Sequence, residues 1–524
     1  MYYARHLREC ASSQGRRILI WVIPPLLICW SLPLRAHAAQ GDLDLTFGNG
    51  GKVTTQFGGG GDSVHALVAQ PDGKIVAAGT SSNSDFAVAR YNIDGSLDFT
   101  FGSGGKVTTD FFGNRDVAVA VALQPDGKIV AAGHAFDAPG NNIVFALARY
   151  NSNGSLDSTF GSGGKVTGGG TEAESVVIQL DNKILVGGYT IGSGLPNNLD
   201  FDLVRLNPDG TLDDSFGSGG KVTTDFFGRG DRIFALALQP DGQIVAAGAA
   251  DRFALTADFA LARYKPNGKL DKSFGTGGKL TTNFNLDNEE ALAVALQPDG
   301  KIIAAGRTQA TNASFDFAIA RYNSDGTLDS TFGSGGKVTT DFSGGFDIAD
   351  GAAVQPNGKI IVSGWSQTGT TGKFDFGLAR YKPTGSLDSS FGSGGRVTTD
   401  FFGEDDTPFA MTLQFGGKIL VAGLAVVGGV SRFALARYDV SPRIMSATVS
   451  GKSLVVAGDG FDDGAVVLIN GKEQSTANDE QSPTTTLVVR KGGKKIKPGD
   501  TAILQVRNSD GVLSQAFSFT RLAL

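Results

Sequence analysis

The sequence predicts an all-β fold, and three observations support this prediction. Glycine accounts for 75 of the 524 residues and only 19% of the residues are charged, a composition typical of turn-rich β-proteins. One sequence unit recurs seven times, and each copy contains short apolar segments separated by turn residues. The chain after residue 440 has a different texture, in which apolar and polar residues alternate as they do in strands.

Residues 1–38 are predicted to be an export signal. Basic residues precede an apolar run at residues 18–34, and the small-x-small triplet at residues 36–38 is typical of a cleavage site. The run is short and contains Pro24 and Pro25, which makes it a poor bilayer span. The sequence therefore predicts a secreted or periplasmic protein with no membrane span after cleavage, exported by either a Sec or a twin-arginine signal.

The cysteines and the net charge exclude several classes of function. Cys10 and Cys29 both lie in the predicted signal, so the processed chain would contain no disulfide, thiolate nucleophile or sulfur metal site. The formal net charge is −6, whereas nucleic-acid binding needs a basic footprint. We expect no nucleic-acid partner, and the sequence does not indicate an oligomeric state.

The repeated unit spans residues 39–440 and predicts a β-propeller. Its three motifs, exemplified by LDSTFGSGGKV, QPDGKI and FALARY, recur in register at intervals of 54–59 residues. Each unit contains four apolar segments separated by turn sequences such as PDG. Four strands per unit and a period near 57 residues are typical of propeller blades. The phenylalanine of the first motif marks the seven copies: Phe47, Phe101, Phe160, Phe216, Phe274, Phe332 and Phe391.

The phase of the repeat predicts how the propeller closes. The processed chain opens with a fourth segment at residues 43–57, and the seventh unit stops after its third segment, at Tyr438. We expect residues 43–57 to complete the last blade, because this removes two exposed sheet edges. The predicted fold is therefore a seven-bladed β-propeller closed by the N-terminal strand.

The repeated strings carry a resemblance to a known family. LDxS/TFGxGGKV, QPDGKIxAAG and FALARYNxDGSLD resemble the delta-60 repeat of bacterial exported β-propellers, over residues 41–440. This resemblance implies a propeller fold and an exported location. It implies no catalytic residue.

Residues 441–524 are predicted to form an immunoglobulin-like β-sandwich. About six strands are expected in some 84 residues, joined by Asn-Gly and Asp-Gly turns. The GDGF string at 458–461 and the ING string at 469–471 resemble IPT/TIG-type domains, which implies a structural or partner-binding role. The clearest alternating segments are residues 453–457, 465–469, 485–489, 502–506 and 516–520.

One position varies among the seven units while its neighbours repeat. It follows the glycine that ends the second segment of each unit. Such a position is either free of constraint or diversified for a partner, and the sequence leaves both open. If the protein binds a ligand, we expect His134, Tyr189, Arg307 and Trp365 to contact it. The full set is Thr80, His134, Tyr189, Ala249, Arg307, Trp365 and Leu424.

A carboxylate stands at the entry to the first segment of every unit. If these segments line a channel, seven carboxylates circle one mouth, where they would raise one another's pKa values or recruit a cation such as Ca²⁺. The alternative is that each accepts backbone N–H groups. No other cofactor is expected. The seven residues are Asp62, Asp116, Glu172, Asp231, Glu289, Asp347 and Asp406.

Repeated arginines and aspartates predict buried ion pairs. The arginine of each FALARY motif and the aspartate of each LD motif recur at fixed positions in all seven units. Because the arginines alternate with apolar residues, we expect them to point between blades and to bind the aspartates.

These observations favour an exported, non-enzymatic binding or scaffold module of the bacterial cell envelope or extracellular space, with a glycan or protein ligand. One alternative is a carbohydrate-active lyase or hydrolase that uses carboxylates at the channel mouth, and His65 or His134 within hydrogen-bond reach of these carboxylates would favour it. Another alternative is a purely structural surface protein. The sequence contains no G-x-S-x-G or H-E-x-x-H motif, which disfavours the common hydrolase mechanisms.

Overall fold

The computed structural model describes residues 40–523, apart from 138–141, 170–171, 192–197, 254–255, 285–287, 310–313, 369–371, 415, 483–484 and 510. The predicted signal and its two cysteines lie outside the described residues. The described chain is all-β, with nine antiparallel four-stranded sheets and one 3₁₀ turn at Gly492–Lys494. Within it, no helix is long and apolar enough to cross a membrane.

Seven of the sheets belong to the repeats, and each has a first, second, third and fourth strand in hydrogen-bonded order. The first strands are β2 Ser63–Ala69, β6 Asp116–Leu123, β10 Glu172–Ile178, β14 Asp231–Leu238, β18 Glu290–Leu296, β22 Asp347–Val354 and β26 Asp406–Leu413. The second strands are β3 Ile75–Thr80, β7 Ile129–Phe136, β11 Ile184–Ile191, β15 Ile244–Phe253, β19 Ile302–Gln309, β23 Ile360–Thr368 and β27 Ile419–Val427. The third strands are β4 Phe86–Tyr91, β8 Ile143–Tyr150, β12 Leu199–Leu206, β16 Thr256–Tyr264, β20 Phe315–Tyr322, β24 Lys373–Tyr381 and β28 Val430–Tyr438. The fourth strands are β5 Lys106–Thr109, β9 Lys165–Gly169, β13 Lys221–Thr224, β17 Lys279–Thr282, β21 Lys337–Thr340, β25 Arg396–Thr399 and, for the seventh sheet, β1 Lys52–Thr55.

The repeated motifs produce these sheets through local chemistry. In the QPDGK turn of the second sheet, Gly127 has φ +82° and donates its N–H to the Gln124 carbonyl at 2.9 Å, a conformation that favours glycine. The second and third strands are buried on both faces, which explains their continuous apolar runs. Their many alanines let neighbouring sheets pack closely.

Every first strand contains a β-bulge at the same place. In the third sheet the register passes from Ala173 to Ser175, so that Glu174 has no partner in the second strand. A bulge re-aims the side chain of the extra residue. The seven bulge residues are His65, Val119, Glu174, Phe234, Leu292, Asp350 and Phe409.

The sheets contact one another through their first strands. Each first strand lies against those of the preceding and following sheets, and β2 of the first sheet also contacts β26 of the seventh. Strand β1 pairs with β28, with Lys52 opposite Ala436 and Thr55 opposite Phe433. The seventh sheet therefore contains strands from both ends of the repeat region.

The predicted arginine–aspartate pairs are confirmed. Arg205 Nε lies 2.6 Å from Asp213 Oδ2, and both side chains are less than 10% exposed. The arginines also reach the next sheet, as in the bond from Arg321 Nη1 to the Pro383 carbonyl at 2.5 Å. Each arginine therefore joins its own sheet to its neighbour. The pairs are Arg90–Asp98, Arg149–Asp157, Arg205–Asp213, Arg263–Asp271, Arg321–Asp329, Arg380–Asp388 and Arg437–Asp44.

The last part of the described chain contains two further four-stranded sheets around one apolar core. Leu454, Phe461, Leu487 and Leu504 are fully buried in this core. One of these two C-terminal sheets consists of β29 Arg443–Ser450, β30 Ser453–Asp459, β34 Thr486–Val489 and β33 Thr476–Asn478. The other C-terminal sheet consists of β32 Lys472–Glu473, β31 Val466–Ile469, β35 Thr501–Arg507 and β36 Phe517–Thr520. Five of these strands, β30, β31, β34, β35 and β36, lie where the alternating segments predict them, whereas β29, β32 and β33 lie outside those segments.

Candidate functional site

The candidate site is built around the bulges of the first strands. The residue two places before each bulge residue pairs with the variable position of the second strand, and we call these pairs, together with the bulge residues, the belt. Because the first strands lie against one another, the belt residues of successive sheets are neighbours. The pairs are Ser63–Thr80, Val117–His134, Glu172–Tyr189, Arg232–Ala249, Glu290–Arg307, Ile348–Trp365 and Thr407–Leu424.

Charged and aromatic side chains concentrate in the third to sixth sheets of the belt. Arg307 Nη2 forms an ion pair with Glu290 Oε2 at 2.9 Å. The Tyr189 hydroxyl donates to Glu172 Oε2 at 2.5 Å, and the Arg232 guanidinium lies 5.7 Å from the centre of the Tyr189 ring. We call this set the polar arc: Glu172, Glu174, Tyr189, Arg232, Glu290, Arg307, Asp350 and Trp365.

Two bulge residues give the polar arc its acidic groups with perturbed pKa values. Burial and the charge of Glu172 raise the pKa of Glu174 to about 7, against the opposing effect of Arg232. Burial raises the pKa of Asp350 well above its ordinary value, although its interaction with Trp365 opposes this. A carboxyl with a pKa near neutrality can either donate or accept a proton, so Glu174 can serve a hydroxyl group in either role.

The histidines lie in the first and second sheets of the belt, next to the polar arc. The Ser63 hydroxyl lies 2.8 Å from His65 Nε2, and the His65 ring packs 5.0 Å from that of Phe409. Burial and the charges of His134 and Arg115 lower the pKa of His65 to about 4, and burial lowers that of His134. Neither histidine hydrogen-bonds to a carboxylate within the described ranges. The His–carboxylate pairing that would favour an acid–base enzyme is therefore not observed there.

The four residues predicted to contact a ligand all lie in the belt. Tyr189, Arg307 and Trp365 belong to the polar arc, whereas His134 lies just outside it, in the adjoining second sheet. All four are partly exposed. Their role as ligand contacts stays a prediction.

The carboxylates expected to circle a channel mouth have a different position. Asp231 precedes the belt residue Arg232, and because successive strand residues point to opposite faces, its side chain turns away from the belt. Its Oδ2 accepts the Phe226 N–H at 2.6 Å, as the alternative expectation proposed. Glu172 alone of the seven lies in the belt, since it stands one place later in its strand. The other six, Asp62, Asp116, Asp231, Glu289, Asp347 and Asp406, are fully buried.

Four of these buried carboxylates each meet two further aspartates at the junction between successive sheets. In every set the first aspartate lies in or next to the third strand, the second follows the fourth strand, and the third enters the first strand of the next sheet. One carboxylate oxygen from each residue lies within 4.8 Å of the others. We call them the junction clusters: Asp85–Asp110–Asp116, Asp200–Asp225–Asp231, Asp316–Asp341–Asp347 and Asp375–Asp400–Asp406.

The negative charges within a junction cluster repel one another, which helps to raise the pKa of its buried aspartate. Burial, together with the charges of Asp225 and Asp200, raises the pKa of Asp231 to about 8, although the bond from Phe226 opposes the shift. Burial and its two cluster partners likewise raise the pKa of Asp116 to about 6. Three clustered carboxylates of this kind suit a hard cation.

Sequence reasoning did not find the charged bulge residues Glu174 and Asp350, or the cross-strand residues Arg232 and Glu290. The signal was available, because these positions also differ from unit to unit along the first segment. The bulge concealed it, since it shifts the alternation of inward and outward residues. The partner aspartates of the junction clusters were also missed, because they come from neighbouring units.

Comparison with family models identifies the repeat. The model described as Domain of unknown function (DUF5122) beta-propeller matches seven segments of the chain. A search of the curated proteins gave no match. The matched residues are 70–101, 124–160, 179–216, 239–274, 297–332, 355–391 and 417–440.

The chain is also similar to solved structures. A fungal alcohol oxidase of the AA5 family in complex with copper has 14% identity and a TM-score of 0.41, covering 90% of this chain and 98% of its own. A glucose dehydrogenase has 11% identity and a TM-score of 0.36, covering 58% of this chain and 95% of its own. A PL25 ulvan lyase has 10% identity and a TM-score of 0.35, covering 76% of this chain and 92% of its own.

Each of the seven matched segments falls in one of the seven units found in the sequence and contains the second and third strands of one repeated sheet. The chain therefore contains seven repeats of a β-propeller type, each matched by the DUF5122 model.

Proposed function

We propose that this chain is an exported, non-enzymatic binding module whose polar arc holds a glycan. The observation that carries the proposal is the convergence of charged and aromatic side chains at positions that vary among otherwise similar repeats. The Glu290–Arg307 ion pair, at 2.9 Å, fixes two of these groups before any ligand arrives. Such preorganisation lowers the entropy cost of binding.

A glycan fits the chemistry of the polar arc. Carboxylates and guanidinium groups bind sugar hydroxyls through charge-assisted hydrogen bonds. Trp365 and Tyr189 offer partly exposed aromatic faces, on which the apolar face of a sugar ring can pack. The acidic groups outnumber Arg232 and Arg307, which favours a neutral glycan over an anionic one. A protein ligand is the second possibility that the sequence leaves open, and its detection would contradict the glycan assignment.

The proposed architecture is a closed seven-bladed propeller followed by an immunoglobulin-like, IPT/TIG-type sandwich. Closure is supported by the contact of β2 with β26 and by the pairing of β1 with β28. It is also supported by hydrogen bonds that continue across the two ends of the repeat region: Arg437 Nη1 donates to the Ile93 carbonyl, and the Gly48 N–H donates to the Asp94 carbonyl at 2.7 Å. The two final sheets with a common core support the sandwich.

We place the protein in the periplasm or outside the cell, because residues 1–38 have the features of an export signal. Mass spectrometry of the protein from an expressing bacterium tests this. The expected N-terminus is Ala39, and recovery of an unprocessed chain in the cytoplasm would contradict export.

Glycan-array binding tests the proposed ligand, with variants inside and outside the polar arc. Trp365→Ala and Glu290→Gln should each lower affinity, because they remove a stacking face and the partner of Arg307. Leu424→Ala is the matched control, since Leu424 occupies the equivalent variable position in the seventh sheet, outside the polar arc. Equal losses in all three variants, or no binding to any glycan, would contradict the proposal. A wild-type chain that binds nothing favours the purely structural alternative.

A carbohydrate lyase or hydrolase is the second candidate function, and Glu174 is the observation in its favour. Its pKa of about 7 suits a general acid or base, and Tyr189 lies nearby through its bond to Glu172. Each glycan that binds should be incubated with the protein and assayed for new reducing ends and unsaturated sugars. Cleavage that Glu174→Gln abolishes while binding persists would establish the enzyme instead of the binding module.

A further inference from the structure

We infer that each of the four junction clusters binds one Ca²⁺ ion, which links two successive sheets of the repeat region. In the cluster of Asp200, Asp225 and Asp231, the first two residues belong to the third sheet and the last one to the fourth. Their carboxylate oxygens lie within 4.8 Å of one another. One ion among them would therefore contact both sheets. This inference is independent of the polar arc and of the glycan proposal.

Buried oxygen atoms without partners point to a ligand in these clusters. Asp231 is fully buried and Asp200 is 8% exposed. Asp231 Oδ2 accepts the Phe226 N–H, but Asp231 Oδ1 and Asp200 Oδ1 have no hydrogen-bond partner among the described residues. A buried carboxylate oxygen left unbonded costs free energy, which a bound cation would recover. The entering aspartates of the other clusters repeat this pattern: Asp116 Oδ1, Asp347 Oδ1 and Asp406 Oδ1 are also buried without a hydrogen-bond partner.

No basic side chain of the described chain neutralises this cluster. None of Asp200, Asp225 and Asp231 forms an ion pair with a described residue. The nearby Lys279 donates to the main-chain carbonyl of Asp225 at 2.5 Å instead of to a carboxylate. The negative charge of the cluster therefore has no partner of opposite sign in direct contact with it.

The junction between the seventh and first sheets provides an internal comparison. There Arg432 stands at the position equivalent to Asp200, and Gln56 stands at that of Asp225. The remaining carboxylate, Asp62, accepts the N–H of Phe57 at 2.8 Å and that of Ser82 at 2.7 Å, so both of its oxygens are bonded. Where the acidic set is incomplete, the chain itself supplies a cationic residue and sufficient donors.

The junction between the fourth and fifth sheets shows a second substitution of the same kind. Asn283 replaces the middle aspartate, and its Nδ2 donates to Asp258 Oδ1 at 2.9 Å. Arg252 Nη2 lies 3.2 Å from Asp258 Oδ2. The third carboxylate, that of Glu289, accepts the Phe284 N–H at 2.9 Å. At this junction an amide and a guanidinium group of the protein therefore bond the first carboxylate, which has neither partner in the cluster of Asp200.

Calcium is the cation that fits best. The ligands are hard oxygens, and Ca²⁺ accepts six to eight of them at irregular positions, whereas Mg²⁺ requires a near-ideal octahedron. The clusters lie at crossover loops, where main-chain carbonyls and water can complete the coordination. An extracytoplasmic location, if the export proposal holds, also provides free calcium.

Calcium titration of the purified, chelator-treated chain tests the inference. Isothermal calorimetry with CaCl₂ alone should give a stoichiometry of four, and millimolar Ca²⁺ should raise Tm by mass action. Asp225→Asn should reduce the stoichiometry to three. Asp225 is exposed, so this variant is expected to fold. Asp241→Asn, at an exposed turn outside the clusters, is the matched control and should keep four sites.

A second variant tests the internal comparison. Asp200→Arg introduces the arginine of the seventh-sheet arrangement, so it should also bind three ions, and its Tm in chelator should be no lower than that of the wild type. Absence of binding at millimolar Ca²⁺ would overturn the inference. So would four ions bound to Asp225→Asn, because the ions would then lie elsewhere.

Discussion

The lysine of the QPDGK motif gives six of the seven repeat aspartates a second cationic partner. Lys183 Nζ lies 2.9 Å from Asp213 Oδ2, which also binds Arg205. In the fourth sheet Gln243 replaces the lysine, and Asp271 has only Arg263 as a cationic partner within the described residues. The repeats therefore allow a comparison between an aspartate bound by arginine alone and aspartates bound by both arginine and lysine.

We expect Gln243→Lys to stabilise the protein by roughly 0.2–1 kcal/mol, the range of partly exposed ion pairs. The new ammonium would reach Asp271 as Lys183 reaches Asp213, and urea unfolding would measure the gain. The reciprocal control is Lys183→Gln, for which we expect a loss of similar size. A loss of stability in both variants would mean that the lysine position acts through packing.

The lowered pKa values of these aspartates predict that the protein loses stability at low pH. Burial would raise the pKa of Asp44, but hydrogen bonds from Lys418 and Thr46 and the charge of Arg437 outweigh burial and bring it to about 2. Since the unfolded pKa is about 3.9, this stabilisation is complete above about pH 4 and is lost as the pH falls through the folded pKa. The pKa values of the six equivalents are also lowered: Asp98, Asp157, Asp213, Asp271, Asp329 and Asp388.

The urea midpoint should therefore fall steeply as the pH is lowered from about 4 to about 2. Asp44→Asn should flatten this dependence, because an amide does not titrate. An unchanged slope in this variant would show that Asp44 does not contribute to the acid response.

At the level of elements, the bulge explains why a glycine ends the core of every second strand. A Cβ placed on Gly188 would lie 1.7 Å from the Glu172 carbonyl oxygen, because the bulge brings the first strand close at this point. The corresponding distances at the six equivalent glycines are 1.8–2.0 Å. The bulge therefore requires the glycine, and the positions of the belt residues depend on both.

Gly188→Ala should destabilise the protein by at least about 1–3 kcal/mol, the usual cost of overpacking, since the opposing atom is backbone. Thermal unfolding measures this cost. Gly59→Ala is the control, because a Cβ added at Gly59 would have no atom within 4 Å and the φ of this residue lies outside the left-handed region. A Tm for Gly188→Ala equal to that of the control would contradict the close approach of the two strands.

The strands and turns could be predicted because each motif carries its own local chemistry. The PDGK turn, the apolar second strand and the pairing of Arg205 with Asp213 all follow from residue types at fixed spacing. The candidate site could be predicted only in part. Tyr189 and Trp365 were found by their variability, whereas Glu174 depends on a bulge that changes which residues share a face. Asp231 was predicted as a candidate residue, but its burial could not be predicted, because it results from packing between units.

At the level of the whole molecule, the seven sheets depend on interactions that connect sequence-distant residues. Arg380 would lack an acceptor in the next turn, because the seventh unit has no turn between a third and a fourth strand. Gln40 takes this place: its Oε1 accepts from Arg380, and its main-chain carbonyl accepts the Gly392 N–H at 2.9 Å. Gln40 Nε2 also donates to the Val440 carbonyl at 2.6 Å. Gln40 thus takes the place of the missing turn and also binds the chain at Val440, where the repeat region ends.

The proposed ring closure predicts a specific disulfide. Thr54 of β1 lies opposite Ala434 of β28, and directly opposed residues of antiparallel strands can meet the distance requirement of a disulfide. The variant Thr54→Cys with Ala434→Cys should therefore oxidise within one chain. It should migrate faster on a non-reducing gel, yield one linked peptide by mass spectrometry, and show a higher Tm, because the crosslink closes a long loop in the unfolded state.

The matched control combines Thr54→Cys with Ala318→Cys. Ala318 holds the equivalent place in the fifth sheet, where its partner is Thr339 of β21. If β1 completes the seventh sheet, the control pair stays reduced or links different chains, because Thr54 has only one position in the ring. Efficient intramolecular linkage of the control, or none in the Thr54→Cys and Ala434→Cys variant, would place β1 elsewhere. The order of sheets on which both the polar arc and the junction clusters depend would then be different.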